Sequence, residues 1–301
     1  MPDNDNPFRR SLESGHFAIT AEIAPPRGAS LEPLRQAVGD LARVVSAINL
    51  TDGAGARVRI SSLAASICVR QLGVEPILQM TCRDRNRIAI QSDLLGAAAF
   101  GIRNVLVLSG DRLESSDDSS ARAVFDLDSR ELIRTIRAMS VDGVTLSGSE
   151  LADRPEFFAG AADIPVDPDA DWSPAALQAK QAAGARFVQM QYCFDMDLLR
   201  RYFERLREHG VTETLYFLVG LGPLRSAESA KWMRDNLWGT VVPDGIIRRL
   251  SAARDPRHEG ISICAELIQE ARDIDGIAGV HLMAPGQHQA IIKAVRLAGM
   301  M

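Results

Sequence analysis

The sequence predicts an α/β protein, a single (β/α)8 TIM barrel over residues 1–301 with extra helical insertions, and three observations lead there. Short β-rich apolar runs recur, each followed by a stretch with helical periodicity. Their starts are mostly spaced by about 30 residues, the length of one strand–helix unit. Eight such units fill the chain with no linker-like composition between them. An open doubly wound sheet is the alternative, but it would carry a Gly-rich nucleotide turn where Pro25-Pro26 stands.

The strands are read, in order, near 17–24 (FAITAEIA), 47–52 (AINLTD), 75–82 (EPILQMTC) and 104–110 (NVLVLSG). Four more follow near 157–162, 187–192, 214–220 and 279–284. Between them, Leu31, Leu34, Val38, Leu41 and Val45 share one helical face, as do Leu198, Leu199, Tyr202, Phe203 and Leu206. Ser30 and Ser61–Ser62 are expected N-caps, and Gly73, Gly101 and Gly210 follow helix ends. Residues 1–15 read as an N-terminal extension. Two longer spacings mark insertions: the loop from Asp111 to about Asp126, with its polar run ESSDDSS, and a helical segment around 243–256. Both follow strand ends, on the face where barrel enzymes keep their sites. The polar run fits a solvated loop or a mobile lid.

Composition narrows the function classes. The 301 residues are 46% hydrophobic and 24% charged with a net charge of −5, as in soluble globular proteins. An acidic balance without a basic run argues against nucleic acid or an anionic membrane as partner. No apolar stretch reaches the roughly 18–20 residues of a membrane helix, and the polar N-terminus lacks a signal-peptide core. Cys68, Cys82, Cys193 and Cys264 form no Cys-x-x-Cys pair, which predicts free thiols and a cytoplasmic location.

In a barrel the polar residues at carboxyl ends of strands are the catalytic candidates. Here they are Glu22, Thr51-Asp52, Gln79 with Thr81, Ser109-Gly110-Asp111, Asp163, Gln191, Gly220 and His281. A Schiff-base aldolase needs a strand lysine, whereas Lys180, Lys231 and Lys293 all fall in helical segments. A metal hydrolase needs clustered His and carboxylates; the five His are scattered and no metal site is expected. Acid chemistry on a neutral polar substrate remains, and Glu22, in an apolar strand three residues before Pro-Pro, suits it. Pairing with Arg57 or Arg59 is the competing role. GLGPLR (Gly220 to Arg225) and GAGAR (Gly53 to Arg57) each fit an anion-holding turn or a plain tight turn. His281 reads as a core histidine.

The blocks TAEIAPPRG, INLTDGA, PILQMTCRDRNR, GIRNVLVLSGD and GARFVQMQYCFD occur in the order and spacing of the methylenetetrahydrofolate reductase family. The chain resembles that family from about residue 17 to 298, most closely a bacterial subgroup that also occurs fused to methyltransferases. The resemblance implies a flavin-binding barrel, with NADH or NADPH reducing FAD and the reduced flavin passing hydride to methylenetetrahydrofolate. It makes Glu22 the general acid that opens the methylene bridge. It places Asp111 beside flavin and pterin as a second catalytic and substrate-binding residue, and Gln191 on the folate. Flavin contacts are implied at Thr51, Gln79, Ser109, Gly110, Asp111, Ala162, Asp163 and Lys180. It also implies a homo-oligomer and a functional link to a methyltransferase.

The chain departs from the family pattern at Gln79 (His in well-studied bacterial members) and Ser109 (Arg there). The block DIPVDP from Asp163 and APG from Ala284 also replace family motifs. A flavin-free NADH-dependent reductase, a pterin-binding methyltransferase barrel without a redox step, and a non-catalytic binding subunit stay open as alternatives.

Overall fold

The computed structural model describes residues 6–300. Eight parallel strands close into a barrel in sequence order. They are β1 (Ala18–Ile23), β2 (Ala47–Leu50), β3 (Pro76–Thr81), β4 (Asn104–Leu108), β5 (Phe158–Asp163), β6 (Phe187–Tyr192), β7 (Tyr216–Leu221) and β8 (Ile277–Leu282). Each pairs with the next, and β8 returns to β1 with Thr20 opposite His281. Strands covered by helices outside and by side chains inside are buried on both faces, so they read as continuous apolar runs. β2 and β4 end earlier than their runs suggest, leaving Thr51-Asp52 and Ser109-Gly110-Asp111 in the first residues of the following loops. β8 both starts and ends two residues before the expected stretch, which brings His281 to its carboxyl end.

The outer ring comprises α2 (Glu32–Leu41), α3 (Ser62–Gln71), α4 (Arg87–Ala99), α5 (Ser129–Arg137), α6 (Ala175–Ala183) and α7 (Met196–Glu208). α8 (Ala227–Asn236), α10 (Pro256–Arg272) and α11 (His288–Leu297) complete it. The apolar faces read from periodicity point inward: Leu34, Val38 and Leu41 on α2, and Leu199, Tyr202, Phe203 and Leu206 on α7, are all buried. Ser61 caps α3 through the Ala64 N–H. Ser30 does not cap α2: Leu31 holds the cap position, and the Ser30 hydroxyl takes only the Glu32 N–H. The extra helix α9 (Asp244–Ala252) falls inside the expected insertion. All four cysteines are free and buried, and burial pushes the thiols of Cys82, Cys193 and Cys264 up to about 12.

The amino-terminal end of the barrel is plugged. Residues 1–5 of the stretch read as an extension lie outside the described residues. Helix α1 (Pro7–Glu13) starts on an Asn6 cap, with Pro7 in the first turn where its missing N–H costs nothing. Its Phe8 and Leu12 are buried against Phe158, Phe187 and Leu218. Asn6 donates to Asn104 (2.7 Å), whose amide donates to Glu75 (2.7 Å), tying the plug to β3 and β4. A filled floor leaves the carboxyl end as the place where a ligand can enter. There the 109–128 loop is fastened across the barrel's rim: Ser116 donates to the Ala56 carbonyl (2.7 Å), Arg27 pairs with Asp117, and the Val124 N–H donates to the Arg83 carbonyl (2.7 Å).

Candidate functional site at the barrel mouth

A cavity of about 730 Å³ opens at the carboxyl end of the strands. Its walls combine a few polar groups with Leu106, Leu108, Ile164, Met190 and Met283, the make-up of a pocket for a largely planar ligand. Trp232 on α8 and Trp238 just beyond it stand at the rim, both largely exposed.

Glu22 sits at the centre, near the end of β1. Its Oε2 accepts from Gln79 Nε2 on β3 (3.2 Å) and Asn49 Nδ2 on β2 (3.5 Å), and lies 3.7 Å from His281 Nε2 on β8. Among the described residues no hydrogen bond reaches Oε1. Neither arginine considered as a partner meets the carboxylate, and Arg59 donates to the Pro25 carbonyl (2.9 Å) instead. The Gln79 amide is oriented from behind: its Oε1 takes the Asp52 N–H (3.4 Å), which turns its NH2 to Glu22.

Asp52, in the sequence motif next to Thr51, has a structural role. Arg85 grips it with two hydrogen bonds (2.7 and 3.0 Å), and Thr81 N–H, Thr81 hydroxyl and Ser62 hydroxyl complete the set. Burial pushes its carboxyl up, but the Arg85 and Thr81 contacts outweigh that and hold it below the usual range.

The other expected residues divide. Thr51, Gln79, Ser109, Gly110, Asp111, Ala162, Asp163 and Gln191 all line the cavity. Thr51 Oγ1 is buried there without a partner. Gly110 has φ +99, and a Cβ would lie 2.9 Å from the Arg83 side chain, so only glycine fits that turn. Asp163 accepts from the Tyr202 hydroxyl (2.7 Å); burial pushes its carboxyl up, opposed by that bond and by Lys180. Lys180 is not a lining residue, and its ammonium donates to the Ala162 carbonyl (2.6 Å) behind the wall. Gln191 donates to the Trp238 carbonyl (3.1 Å) and accepts from the Tyr192 N–H (3.0 Å), so its amide ties the rim together.

The two glycine turns resolve differently. In GAGAR the Gly55 N–H does bind an anion, and the anion is Asp111 of the same chain (2.7 Å). In GLGPLR the glycine at 222 serves packing, since a Cβ would lie 2.1 Å from the Met283 carbonyl oxygen. Arg225 lines the cavity and donates to the Pro285 carbonyl (3.0 Å). Sequence reasoning missed Gln189 on β6, which lines the cavity and whose buried amide has neither atom partnered. The register of β6 shifts between Gln189 and Tyr192, so a period of two gives no clean signal for it. It also missed the Trp232 and Trp238 rim, for which no strand-end rule offers a signal.

The family model described as methylenetetrahydrofolate reductase matches residues 7–299. Methylenetetrahydrofolate reductase 1 of Schizosaccharomyces pombe is 24% identical over 240 residues, covering 76% of this chain and 36% of its own length. A probable methylenetetrahydrofolate reductase (NADPH) of Caenorhabditis elegans is 27% identical over 249 residues, 80% of this chain and 34% of its own. The chain thus spans about a third of the length of these curated relatives. A solved structure from Clostridium thermocellum, an uncharacterized protein that binds two copies of 5-methyl-5,6,7,8-tetrahydrofolic acid, aligns over 97% of both chains. Its TM-score is 0.64 at 11% identity, a likeness of fold.

Proposed function

The chain belongs to the methylenetetrahydrofolate reductase family, and from that premise we propose that it interconverts 5,10-methylenetetrahydrofolate and 5-methyltetrahydrofolate by hydride transfer from NAD(P)H through FAD. In this reading residues 1–301 form one catalytic barrel. The observation that carries it is Glu22: a carboxyl lining the mouth, with amide donors on one oxygen and, among the described residues, no hydrogen bond on the other. The methyltetrahydrofolate bound by the Clostridium thermocellum protein of the same fold supports a folate in this cavity.

The residues present fit a flavin ring. Thr51 offers a buried hydroxyl with no partner, and the apolar Leu106, Leu108 and Ile164 surfaces suit a flat heteroaromatic face. Thr51, Gln79, Ser109, Gly110, Ala162 and Asp163 would hold it, with Lys180 acting through the Ala162 carbonyl. A flavin bound there would supply a two-electron carrier between nicotinamide and folate.

The chain's own groups move a proton and balance charge. Opening the methylene bridge transfers the C–N bonding electrons to the folate's departing nitrogen, which needs a proton. Glu22 Oε1 supplies it, and the resulting carboxylate is stabilised where Gln79 and Asn49 already donate. The folate left behind is a cationic iminium, and the Asp111 carboxylate at the rim favours that charge. Gln191 and the tryptophan rim hold the outer part of the substrate.

The test is the visible spectrum of the purified protein with FAD, then NADH, then methylenetetrahydrofolate, without oxygen. We expect flavin bands that bleach with NADH and return with the folate. NADH oxidation that needs folate but no FAD would replace this reading with the flavin-free reductase. Folate binding with no nicotinamide oxidation would overturn it in favour of a methyltransferase.

A further inference from the structure

His281 and Thr20 have no part in the mechanism so far, yet they form a buried polar pair directly beneath the acid. Both are buried, at 2% and 0% exposure, in the interior of the barrel. Register places them opposite each other on β8 and β1, and Thr20 lies two residues before Glu22 on the same face. His281 Nδ1 is 2.9 Å from Thr20 Oγ1, and Nε2 is 3.7 Å from Glu22 Oε2.

The hydroxyl has a single hydrogen. It can go to His281 Nδ1 at 2.9 Å or to the Val280 carbonyl at 3.4 Å, and the shorter separation favours the imidazole. A ring that accepts at Nδ1 carries its own hydrogen at Nε2, and that hydrogen faces Glu22. Gln79 and Asn49 donate to Oε2, and the His281 hydrogen approaches the same oxygen at 3.7 Å. A proton on Oε2 would meet those donor hydrogens, whereas among the described residues Oε1 meets none. The 3.7 Å separation suits a contact that tightens when substrate fills the mouth, as catalytic hydrogen bonds often do.

Resting on the reading of Glu22 as the acid, we propose that Thr20 and His281 are positioning residues that fix the carboxyl so that its proton sits on Oε1, facing the substrate. Thr20 sets the imidazole tautomer, and His281 makes Oε2 the oxygen that carries negative charge after transfer. The proton passes from Oε1 to the lone pair of the departing folate nitrogen, and the C–N electrons go with that nitrogen.

The titratable groups that face Glu22 are few. His281 approaches from β8 and Tyr192 from β6; the Tyr192 hydroxyl donates to the Met283 carbonyl (2.7 Å). Burial, then the Glu22 charge, pushes that phenol well up, so it stays neutral. Among the described residues no lysine or arginine pairs with Glu22. A change in its pH profile therefore reports on His281.

The experiment follows the two half-reactions of the flavin-loaded enzyme separately across pH in His281→Phe, His281→Gln and Thr20→Val. His281→Phe should slow folate reduction roughly ten- to hundredfold, a part of the 10²–10⁴ a general acid supplies, and move its pH profile. Oxidation of NADH should keep its rate. His281→Gln, whose amide can reach the same oxygen, should recover most of the loss. In a Glu22→Gln background His281→Phe should cost nothing more. Equal losses in both half-reactions, or a full extra loss in that background, would overturn the proposal. If Glu22→Gln alone reduces folate at the parent rate, the acid reading fails instead. Nitrogen NMR of the His281 ring needs no substrate: we expect the Nε2–H tautomer, shifted by Thr20→Val. An Nδ1–H ring in the parent protein would sink the idea whatever the activity.

Discussion

Asp52 and Glu22 stand at the carboxyl ends of neighbouring strands, share Gln79 as an intermediary, and have opposite surroundings. Around Asp52 a guanidinium and three further donors fill both oxygens, and the carboxyl is held low despite burial. Around Glu22 the partners are two amides and an imidazole on one oxygen, with no cation from lysine or arginine among the described residues. A guanidinium places a full positive charge on the Asp52 carboxylate, whereas the amides beside Glu22 carry none. The difference fits a structural role for Asp52 and the acid role proposed for Glu22.

The sharpest way to break that contrast is Glu22→Gln. The amide keeps the volume and can still accept from Gln79 and Asn49 at its oxygen, so folding should be unchanged by thermal melt. Folate reduction should fall by about 10²–10⁴, the usual worth of a general acid, while NADH oxidation persists. A parent rate of folate reduction would move the acid elsewhere in the cavity.

Asp52→Ala should do the reverse. It strands Arg85 beside Asp93 and leaves the Thr81 and Ser62 hydroxyls with a donor each to place, a loss of about 3–5 kcal/mol for a broken buried pair. Urea unfolding would show it as a lower midpoint with unchanged slope. The sign with pH follows from the lowered carboxyl. Its contribution is fully present above the unfolded value of about 4 and is lost as pH falls through the lower folded value. The parent protein should therefore lose stability in that acid window more steeply than Asp52→Ala. Equal acid sensitivity would show that Asp52 is not the group that titrates.

What the sequence could show was the frame. Apolar runs about 30 residues apart are a local signal, so the eight strands and the barrel were legible, with end errors where Leu50 and Leu108 hand over to polar residues. Glu22 was legible as a carboxylate with no reason to be in an apolar strand. The company it keeps was not: Thr20 and His281 are 261 residues apart and meet only because the barrel closes. Helix α1 offered two apolar residues, Phe8 and Leu12, too few for a periodicity, and their burial depends on the open floor they fill. Lys180, placed at the flavin site by the family resemblance, ends with its ammonium on the Ala162 carbonyl behind the cavity wall.

Asp111 is intermediate between the two carboxylates, and the smallest effect is expected there. It is exposed, lines the cavity, and accepts the Gly55 N–H at 2.7 Å, joining the loop after β4 to the loop after β2. Asp111→Asn keeps an acceptor for that N–H but removes the charge. The tie weakens by at most about 1 kcal/mol, the scale of one exposed hydrogen bond, so the melt should barely move. If the charge serves the cationic folate, folate reduction should slow roughly tenfold, matching about 1.4 kcal/mol of electrostatic stabilisation, with NADH oxidation little changed. Raising the salt concentration should shrink the difference between parent and variant, because an exposed charge is screened. A variant that loses stability and both half-reactions together would place Asp111 with Asp52, as a group that holds the mouth in shape.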